Sequence, residues 1–266
     1  MKQDIKRYRT ALITGASSGI GEAFAEALAR QGMDLILVAR SQERLEEIAV
    51  RLAMTYDRRV EVIAADLGKP RPGAALLKKV QALEMEVDLL VNNAGFGLPG
   101  EHFHQNDVER QQQMLALNAG AVMDLAHTFL PAMVARGSGA IINVASLAGF
   151  QPTPYMTLYG ATKAFVLALS EWLWAEYRRK GIAVLAVCPG PVDTAFFEAT
   201  GDAGMRDLIP PGTILTAPQV VAASLKALAQ GKSFVVPGAI MKVASLLPRL
   251  LPRGAVARAS ARTMKH

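Results

Sequence analysis

The sequence predicts an α/β fold with a doubly wound parallel sheet, and three observations support this class. Short apolar runs rich in β-branched residues alternate with longer segments of helical period. The runs are continuously apolar, which indicates a sheet covered on both faces, and the alternation indicates parallel strands. No internal repeat, low-complexity tract or Gly/Ser linker divides residues 1–238, so we expect one domain there.

The predicted strands end where ligands bind. In a doubly wound sheet, ligands lie beyond the carboxyl ends of the strands, so the loop after each strand is where chemistry is expected. The six predicted strands are Thr10–Thr14, Leu35–Ala39, Val60–Ala64, Asp88–Val91, Ala140–Val144 and Ile182–Val187.

Composition narrows the class of protein. With 266 residues, 51% of them hydrophobic, the chain can bury a substantial core and is not disordered overall. Its single cysteine, Cys188, rules out an intrachain disulfide framework and favours a reducing, cytoplasmic compartment. The first residues lack the apolar core of a signal peptide, and no run of about 18 uncharged apolar residues is present to span a bilayer.

The net charge of +6 is concentrated at the C-terminal end. From Leu208 to His266 there are eight Lys or Arg and no Asp or Glu, which leaves 21 basic against 23 acidic residues before them. Residues 239–266 therefore form a basic, apolar tail, which is a solvated helix face, a subunit contact in a homo-oligomer, or a peripheral membrane contact. We favour the homo-oligomer, since Pro248 and Pro252 interrupt any long amphipathic helix. Nucleic acid is disfavoured because no binding motif accompanies the charge.

A glycine-rich loop, T-G-A-S-S-G-I-G, follows the first strand. Gly15, Gly19 and Gly21 allow a tight turn, close approach of the backbone to a phosphate and close packing of the next helix, whose amino end is partly positive. A dinucleotide pyrophosphate is the expected ligand, although similar turns occur without one. The spacing is G-x-x-x-G-x-G.

The ends of the second and third strands indicate which dinucleotide binds. Ala39 cannot accept a hydrogen bond from the ribose 2′-hydroxyl of NAD, whereas Arg40 can pair with the 2′-phosphate of NADP and Ser41 can add a hydroxyl. We therefore expect NADP(H). Asp66 suits the adenine amino group or, equally, caps a turn.

The loop after the fourth strand reads V-N-N-A-G-F-G. Ala94 and Gly95 let the backbone approach a flat ligand, while Asn92 and Asn93 can fix the loop by hydrogen bonds. A purely structural turn would use the same residues.

Two tyrosines, Tyr155 and Tyr159, compete for a catalytic role. A phenol has a pKa near 10 and exchanges protons poorly at neutral pH unless the phenolate is stabilised. Lys163 lies one helical turn after Tyr159, where its ammonium lowers the pKa of that phenol. Tyr155 follows Pro152 and is outside the helix, so it is either a wall of the substrate pocket or packed surface.

Two further polar residues complete the arrangement. Ser146 follows the fifth strand at the ligand edge, where its hydroxyl can bond a carbonyl or alkoxide oxygen. Asn118 lies in an apolar helical stretch, L-A-L-N-A-G, and is either structural or holds a water that resupplies protons.

In their order and spacing, these motifs resemble the short-chain dehydrogenase/reductase family in its core single-domain form, over roughly residues 8–195. The resemblance implies a seven-stranded Rossmann sheet, hydride transfer at a nicotinamide, and a catalytic tetrad of Asn118, Ser146, Tyr159 and Lys163. It also implies that Val192 and Thr194 of P-G-P-V-D-T hold the nicotinamide carboxamide, and that Lys163 contacts the nicotinamide ribose. One departure is that Ser17 and Ser18 stand where many NADP-binding members carry a basic residue. The full set of expected cofactor contacts is Gly15, Ser17, Ser18, Gly19, Ile20, Gly21, Arg40, Asp66, Leu67, Asn93, Ala94, Gly95, Tyr159, Lys163, Pro189, Gly190, Val192 and Thr194.

The expected function is NADP(H)-dependent interconversion of a hydrophobic ketone and its secondary alcohol. Residues 196–211 are predicted to form a substrate lid, with Phe196, Phe197 and Met205 as apolar contacts. Two alternatives stay open: an NADP-binding regulatory protein without turnover, and a membrane-surface interaction protein using the basic tail. His102 and His104 form an H-x-H pair without a third ligand, so no metal is expected.

Overall fold

The computed structural model describes residues 5–98, 101–194 and 213–263. Its centre is a seven-stranded sheet in the order β3-β2-β1-β4-β5-β6-β9, in which every neighbouring pair is parallel. The strands of this sheet are β1 Thr10–Thr14, β2 Asp34–Ala39, β3 Val60–Ala64, β4 Leu89–Asn92, β5 Gly139–Val144, β6 Ile182–Val187 and β9 Phe234–Val235. A separate parallel pair joins β7 Val192–Asp193 to β8 Leu215–Thr216.

Helices cover both faces of the sheet, as its continuously apolar strands require. Helices α1, α2 and α7 pack on one face, and α3, α5 and α6 pack on the other. The helices in the described residues are α1 Gly19–Arg30, α2 Gln42–Tyr56, α3 Pro72–Ala82, α4 Val108–Leu115, α5 Val122–Arg136, α6 Thr157–Tyr177, α7 Ala217–Ala229, α8 Ala239–Leu250 and α9 Arg253–Thr263. None of the helices in these ranges is both long and apolar enough to cross a membrane.

The structure confirms the predicted doubly wound, single-domain α/β fold. The six predicted strands are present, with boundaries that differ by at most one residue. The seventh strand, β9, has only two residues, too few to show a pattern in the sequence. In the tail, Pro248 lies in the last turn of α8, where it removes one late backbone hydrogen bond, and Pro252 lies between α8 and α9.

A π-helical segment joins α4 to α5 and carries Asn118. The segment, Ala116–Ala121, widens the helix by one residue per turn, a geometry that is rare and is often found at functional sites. Asn118 is fully buried there. The sequence predicts an ordinary helix at this position, since residue pattern does not distinguish the two geometries.

A buried polar chain ties β4, β5 and α6 together below the ligand edge. The side-chain nitrogen of Asn92 donates to Asn143 Oδ1 at 2.9 Å, and Asn143 Nδ2 donates to Ser170 Oγ at 2.9 Å. Ser170 in turn donates to the carbonyl oxygen of Val166. All three polar side chains are buried, so each depends on its partner for hydrogen bonding.

We expect Ser170→Ala to destabilise the protein by about 1 to 3 kcal/mol, because it leaves the buried Asn143 amide without an acceptor. Ser224→Ala is the matched control. Ser224 is also a buried helical serine, and its hydroxyl bonds the Val220 carbonyl four residues earlier. Urea unfolding of both variants measures the difference; equal losses would contradict the role given to the chain.

Candidate active site

The glycine loop forms a tight turn at the end of β1. Gly15 and Gly19 have φ angles of 65° and 57°, in the left-handed region that favours glycine. A Cβ on Gly21 would meet the carbonyl oxygen of Gly15 and the side chain of Asn93. The glycines therefore let α1 begin directly against the end of the sheet.

Asn93 and Thr14 lock this turn to the loop after β4. Asn93 Nδ2 donates to the carbonyl oxygens of Thr14 at 3.0 Å and Gly15 at 3.1 Å. In return, Thr14 Oγ1 accepts from the backbone nitrogens of Asn93 at 2.9 Å and Ala94 at 3.1 Å. Thr14 was not predicted as a site residue, although a polar side chain at the carboxyl end of an apolar strand is a signal for one.

The amino end of α1 has the donors that an anion needs. Ser18, its N-cap residue, is extended at φ −167° and its side chain makes no capping hydrogen bond. The first-turn N–H groups of a helix have no intrahelical acceptor, so those at Gly19, Ile20 and Gly21 are suited to a phosphate. Ser17 lies in the same turn. This donor set fits the pyrophosphate of a dinucleotide.

The expected adenosine end of the site is open and basic. Arg40 is exposed directly after β2 and forms no ion pair within the described ranges. Ser41 makes no side-chain capping bond at the start of α2. Asp66 Oδ1 accepts from Gly68 N at 3.0 Å, so the turn-capping alternative is present, while Leu67 is buried beside it.

The P-G-P-V-D-T segment lies between the glycine loop and the catalytic candidates. The backbone nitrogen of Leu147 donates to Pro189 O at 2.8 Å. A Cβ on Gly19 would lie 3.2 Å from the methyl carbon of Thr194, so the segment also borders the glycine loop. A Cβ on Gly190 would lie 2.7 Å from Met241 Sδ, so α8 packs on this segment.

Ser146, Tyr159 and Lys163 converge at the carboxyl edge of β5. The Ser146 hydroxyl is hydrogen-bonded to the Tyr159 phenol. Lys163 Nζ donates to the Val144 carbonyl at 2.9 Å and lies 5.7 Å from the centre of the Tyr159 ring. Tyr159 and Lys163 both lie on α6, which begins at Thr157.

Burial dominates the titration of both α6 residues. Burial raises the pKa of Tyr159 above its usual value, and the hydrogen bond with Ser146 opposes this rise without cancelling it. Burial lowers the pKa of Lys163 to about 8, while the nearby Cys188 acts in the opposite direction. Lys163 is not among the influences on the Tyr159 pKa, so the predicted lowering of that pKa by Lys163 is absent from the chain alone.

Asn118 holds the loop after β4 over this cluster. Its Nδ2 donates to Phe96 O at 2.8 Å and its Oδ1 accepts from Phe96 N at 3.0 Å. A Cβ on Gly95 would lie 2.9 Å from Asn118 Oδ1 and 3.6 Å from Lys163 Nζ. Because glycine has no side chain, a narrow space is left between these two side chains.

Tyr155 lies before α6, in an unusual backbone conformation. Its φ of 68° is left-handed, and its ring packs edge-on against His102 with centroids 5.3 Å apart. A shallow recess, lined by both apolar and polar side chains, begins beside it and reaches Tyr159. The recess is lined by residues that include Leu98, Phe103, Met114, Tyr155, Leu158 and Tyr159.

Two further predictions concern the substrate lid and the histidine pair. The predicted lid, with Phe196, Phe197 and Met205, lies outside the described residues. His102 and His104 are exposed, and no group of three or more potential metal ligands occurs in the described ranges.

Comparison with known proteins identifies the family. The model of the short chain dehydrogenase family matches residues 9–203. The chain belongs to the short-chain dehydrogenase/reductase family. Members of this family are oxidoreductases that bind a nicotinamide cofactor and a small-molecule substrate.

Individual relatives share both sequence and fold with this short-chain dehydrogenase/reductase. A short-chain dehydrogenase from Sphingobium yanoikuyae, solved in complex with NADPH, is 36% identical with a TM-score of 0.81, over 97% of this chain and 96% of that one. The bulky-bulky ketone specific alcohol dehydrogenase from Comamonas testosteroni is 33% identical with a TM-score of 0.77, over 91% of each chain. The very-long-chain 3-oxoacyl-CoA reductase-B of Danio rerio is 39% identical over 69% of this chain but only 60% of its own length.

We expect burial of Lys163 to be visible in the stability of the chain without cofactor. Its pKa is about 8 in the folded state, against 10.5 for a free lysine, so between these values the unfolded state binds more protons. The free energy of unfolding should therefore rise with pH across this window, by about 3 kcal/mol from this residue.

Urea unfolding of the wild type and of Lys163→Met, from pH 7 to 10, isolates the effect. The variant should lack this part of the rise and should be at least as stable at pH 7, because it removes a buried charge. Parallel pH profiles would contradict the assignment.

Proposed function

We propose that this protein is an NADP(H)-dependent oxidoreductase that transfers a hydride between nicotinamide and a hydrophobic ketone or secondary alcohol. The observation that carries the proposal is the convergence of Ser146, Tyr159 and Lys163 at one point of the ligand edge. A hydroxyl bonded to a phenol, with an ammonium beside the phenol, is an arrangement that can bind and protonate a carbonyl oxygen.

Ser146 and Tyr159 have separate roles in the proposed reaction. When bound, the reduced nicotinamide supplies the hydride. Ser146 holds the substrate oxygen by a hydrogen bond, and Tyr159 donates the proton as negative charge develops there. The raised pKa keeps Tyr159 protonated at neutral pH, which suits the donor role in reduction.

Proton resupply involves the two buried groups next to the phenol. Lys163, with a pKa near 8, carries its proton at neutral pH and can release it without a large cost. Asn118 Oδ1 accepts one described hydrogen bond, from Phe96 N, so one lone pair is left for a water on the side of Gly95. Oxidation of an alcohol uses the same groups in reverse.

NADP(H) is the proposed cofactor because the ribose corner is basic. Arg40 and Ser41 follow β2 directly, and no acidic residue stands at the end of that strand. The similar structure from Sphingobium yanoikuyae contains NADPH, which supports the same choice.

A hydrophobic carbonyl compound is the proposed substrate. The recess that leads to Tyr159 carries apolar side chains such as Leu98, Phe103 and Met114 beside the polar Asn106 and Gln111. The names of two relatives, a bulky-bulky ketone specific dehydrogenase and a very-long-chain 3-oxoacyl-CoA reductase, point to large apolar substrates. Cys188, the single cysteine of the sequence, is buried, which agrees with the proposed reducing, cytoplasmic location.

A regulatory protein that binds NADP without turnover is the second candidate. Against it, the sequence carries all four candidate catalytic residues, and a binding protein has no need of a phenol paired with a serine hydroxyl. An assay of NADPH consumption over a panel of ketones and aldehydes separates the two candidates: turnover supports the enzyme, and binding without turnover on any compound supports the regulator.

We also infer that the protein forms a homo-oligomer through α6. Phe165 and Trp172 are both large, apolar and exposed, and they lie seven residues apart, on one face of that helix. Exposed aromatic residues on a helix face are typical of the centre of a protein interface.

Tyr159→Phe should lower the rate of carbonyl reduction by about 10²- to 10⁴-fold, because the proton donor is lost. NADPH affinity, followed by fluorescence titration, should change little. Tyr155→Phe is the matched control and should keep most of the activity. If Tyr155→Phe were the inactive variant, the roles of the two tyrosines would be reversed.

Arg40→Ala should reduce the preference for NADPH over NADH by roughly 10- to 150-fold, the effect of about 1.5 to 3 kcal/mol for a charge-assisted hydrogen bond to phosphate. Catalytic efficiencies with both cofactors give the ratio. Arg9→Ala, an exposed arginine just before the amino end of β1, serves as control. If the ratio of the two catalytic efficiencies were unchanged in Arg40→Ala, Arg40 would not be the residue that binds the 2′-phosphate.

Trp172→Glu should lower the mass measured by light scattering, because a buried carboxylate opposes contact through α6. Val50→Glu is the control, because Val50 is an exposed residue of α2, and it should leave the mass unchanged. A wild-type chain that is already monomeric, or equal masses for all three proteins, would exclude this interface.

A further inference from the structure

The outward face of α8 is apolar. Ile240, Val243 and Leu246 are 59%, 61% and 49% exposed. At 100° per residue these three side chains share one side of the helix, and we call them the α8 stripe. Leu251, just beyond the helix, is exposed as well.

The opposite side of α8 is anchored to the protein. Met241 packs against Gly190 and joins the buried cluster around Val166 and Cys188. Ser245 is buried and donates to the Lys242 carbonyl. A surface helix usually presents polar residues outward. Here the outward side is apolar, and the packing of Met241 on the opposite side keeps the α8 stripe at the surface of the protein.

Exposed cations lie on α8 itself and on the helix that follows it. Lys242 on α8, and Arg253, Arg258 and Arg262 on α9, are all exposed. None of them forms an ion pair within the described ranges. From residue 208 to the end of the sequence there is no Asp or Glu. The surface therefore offers apolar side chains together with uncompensated positive charge.

Charge distinguishes between the possible occupants of this surface. A second copy docked face to face would place its own cations against these cations, with no carboxylate on either side to pair with them. An anionic bilayer can pair with the cations and also bury the apolar stripe, since its headgroups carry negative charge and its acyl boundary accepts apolar side chains. The sequence alone favours a neighbouring subunit as the partner of the tail. The exposed cations of α8 and α9 favour the bilayer instead.

We propose that the α8 stripe docks this protein peripherally onto anionic phospholipid membranes. Because α8 packs on Gly190, in the segment that borders the candidate active site, docking holds the carboxyl edge of the sheet at the lipid surface. Docking does not depend on the proposed reaction, and it is tested without substrate.

Sedimentation of the full chain with vesicles tests the apolar contribution. Vesicles of phosphatidylcholine with about one third phosphatidylserine should bind the protein, and vesicles of phosphatidylcholine alone should bind it much less. Val243→Glu should abolish binding to the anionic vesicles. Val50→Glu is the matched control, because Val50 is 60% exposed on α2, and it should bind like the wild type.

The electrostatic contribution is tested with charge-neutral variants. Each basic residue at an anionic surface strengthens binding about fivefold, so Lys242→Gln with Arg253→Gln should weaken it roughly 30-fold. The control pair, Lys78→Gln with Arg9→Gln, lies on other surfaces and should have little effect. Raising the salt to about 1 M should release the wild type, because screening then acts within about 3 Å.

Three results would overturn the proposal: absence of binding to the anionic vesicles, equal binding to neutral vesicles, or binding unaffected by Val243→Glu. Light scattering of the same variants gives the competing outcome. If the wild type does not bind vesicles and the Val243→Glu variant has a lower oligomeric mass than the wild type, the α8 stripe is an interface with a second copy of the chain.

Discussion

The burial of one ammonium group organises the candidate site. Lys163 is nearly inaccessible and donates to the Val144 carbonyl, so its charge lies between the end of β5 and the first turns of α6. Desolvation of that charge opposes folding, which is why its pKa falls to about 8. Such a cost is tolerated where it serves chemistry. In the proposed reaction, this burial keeps an ammonium with a pKa of about 8 beside a phenol whose pKa is raised.

The surroundings of this ammonium depend on small residues and fixed loops. Gly95 leaves the space between Lys163 and Asn118, and the π-helical segment directs the Asn118 amide to the backbone of Phe96. Asn93 and Thr14 join that loop to the glycine turn. The loops after β1 and β4 are thereby held relative to each other by side-chain hydrogen bonds, which preorganises this edge of the sheet for the proposed reaction.

Much of this arrangement could be predicted from the sequence, because apolar strands, a glycine turn and the spacing of Tyr159 to Lys163 are local patterns. What could not be predicted depends on tertiary contacts. The two-residue strand β9 is too short to have a period, the π geometry around Asn118 depends on packing, and the raised pKa of Tyr159 follows from burial that no residue spacing reveals. The exposure of the α8 stripe likewise follows from which side of the helix Met241 anchors.

In the proposed reaction, a hydride from NADPH reaches a carbonyl carbon at this edge of the sheet. Incubation with NADPH that carries deuterium at the reactive position of the nicotinamide, together with a bulky ketone that is turned over, tests it directly. The account predicts an alcohol with deuterium on the carbinol carbon, detected by mass spectrometry and placed by NMR. An alcohol without deuterium, or a protein that binds NADPH yet reduces no carbonyl compound in a broad panel, would contradict it.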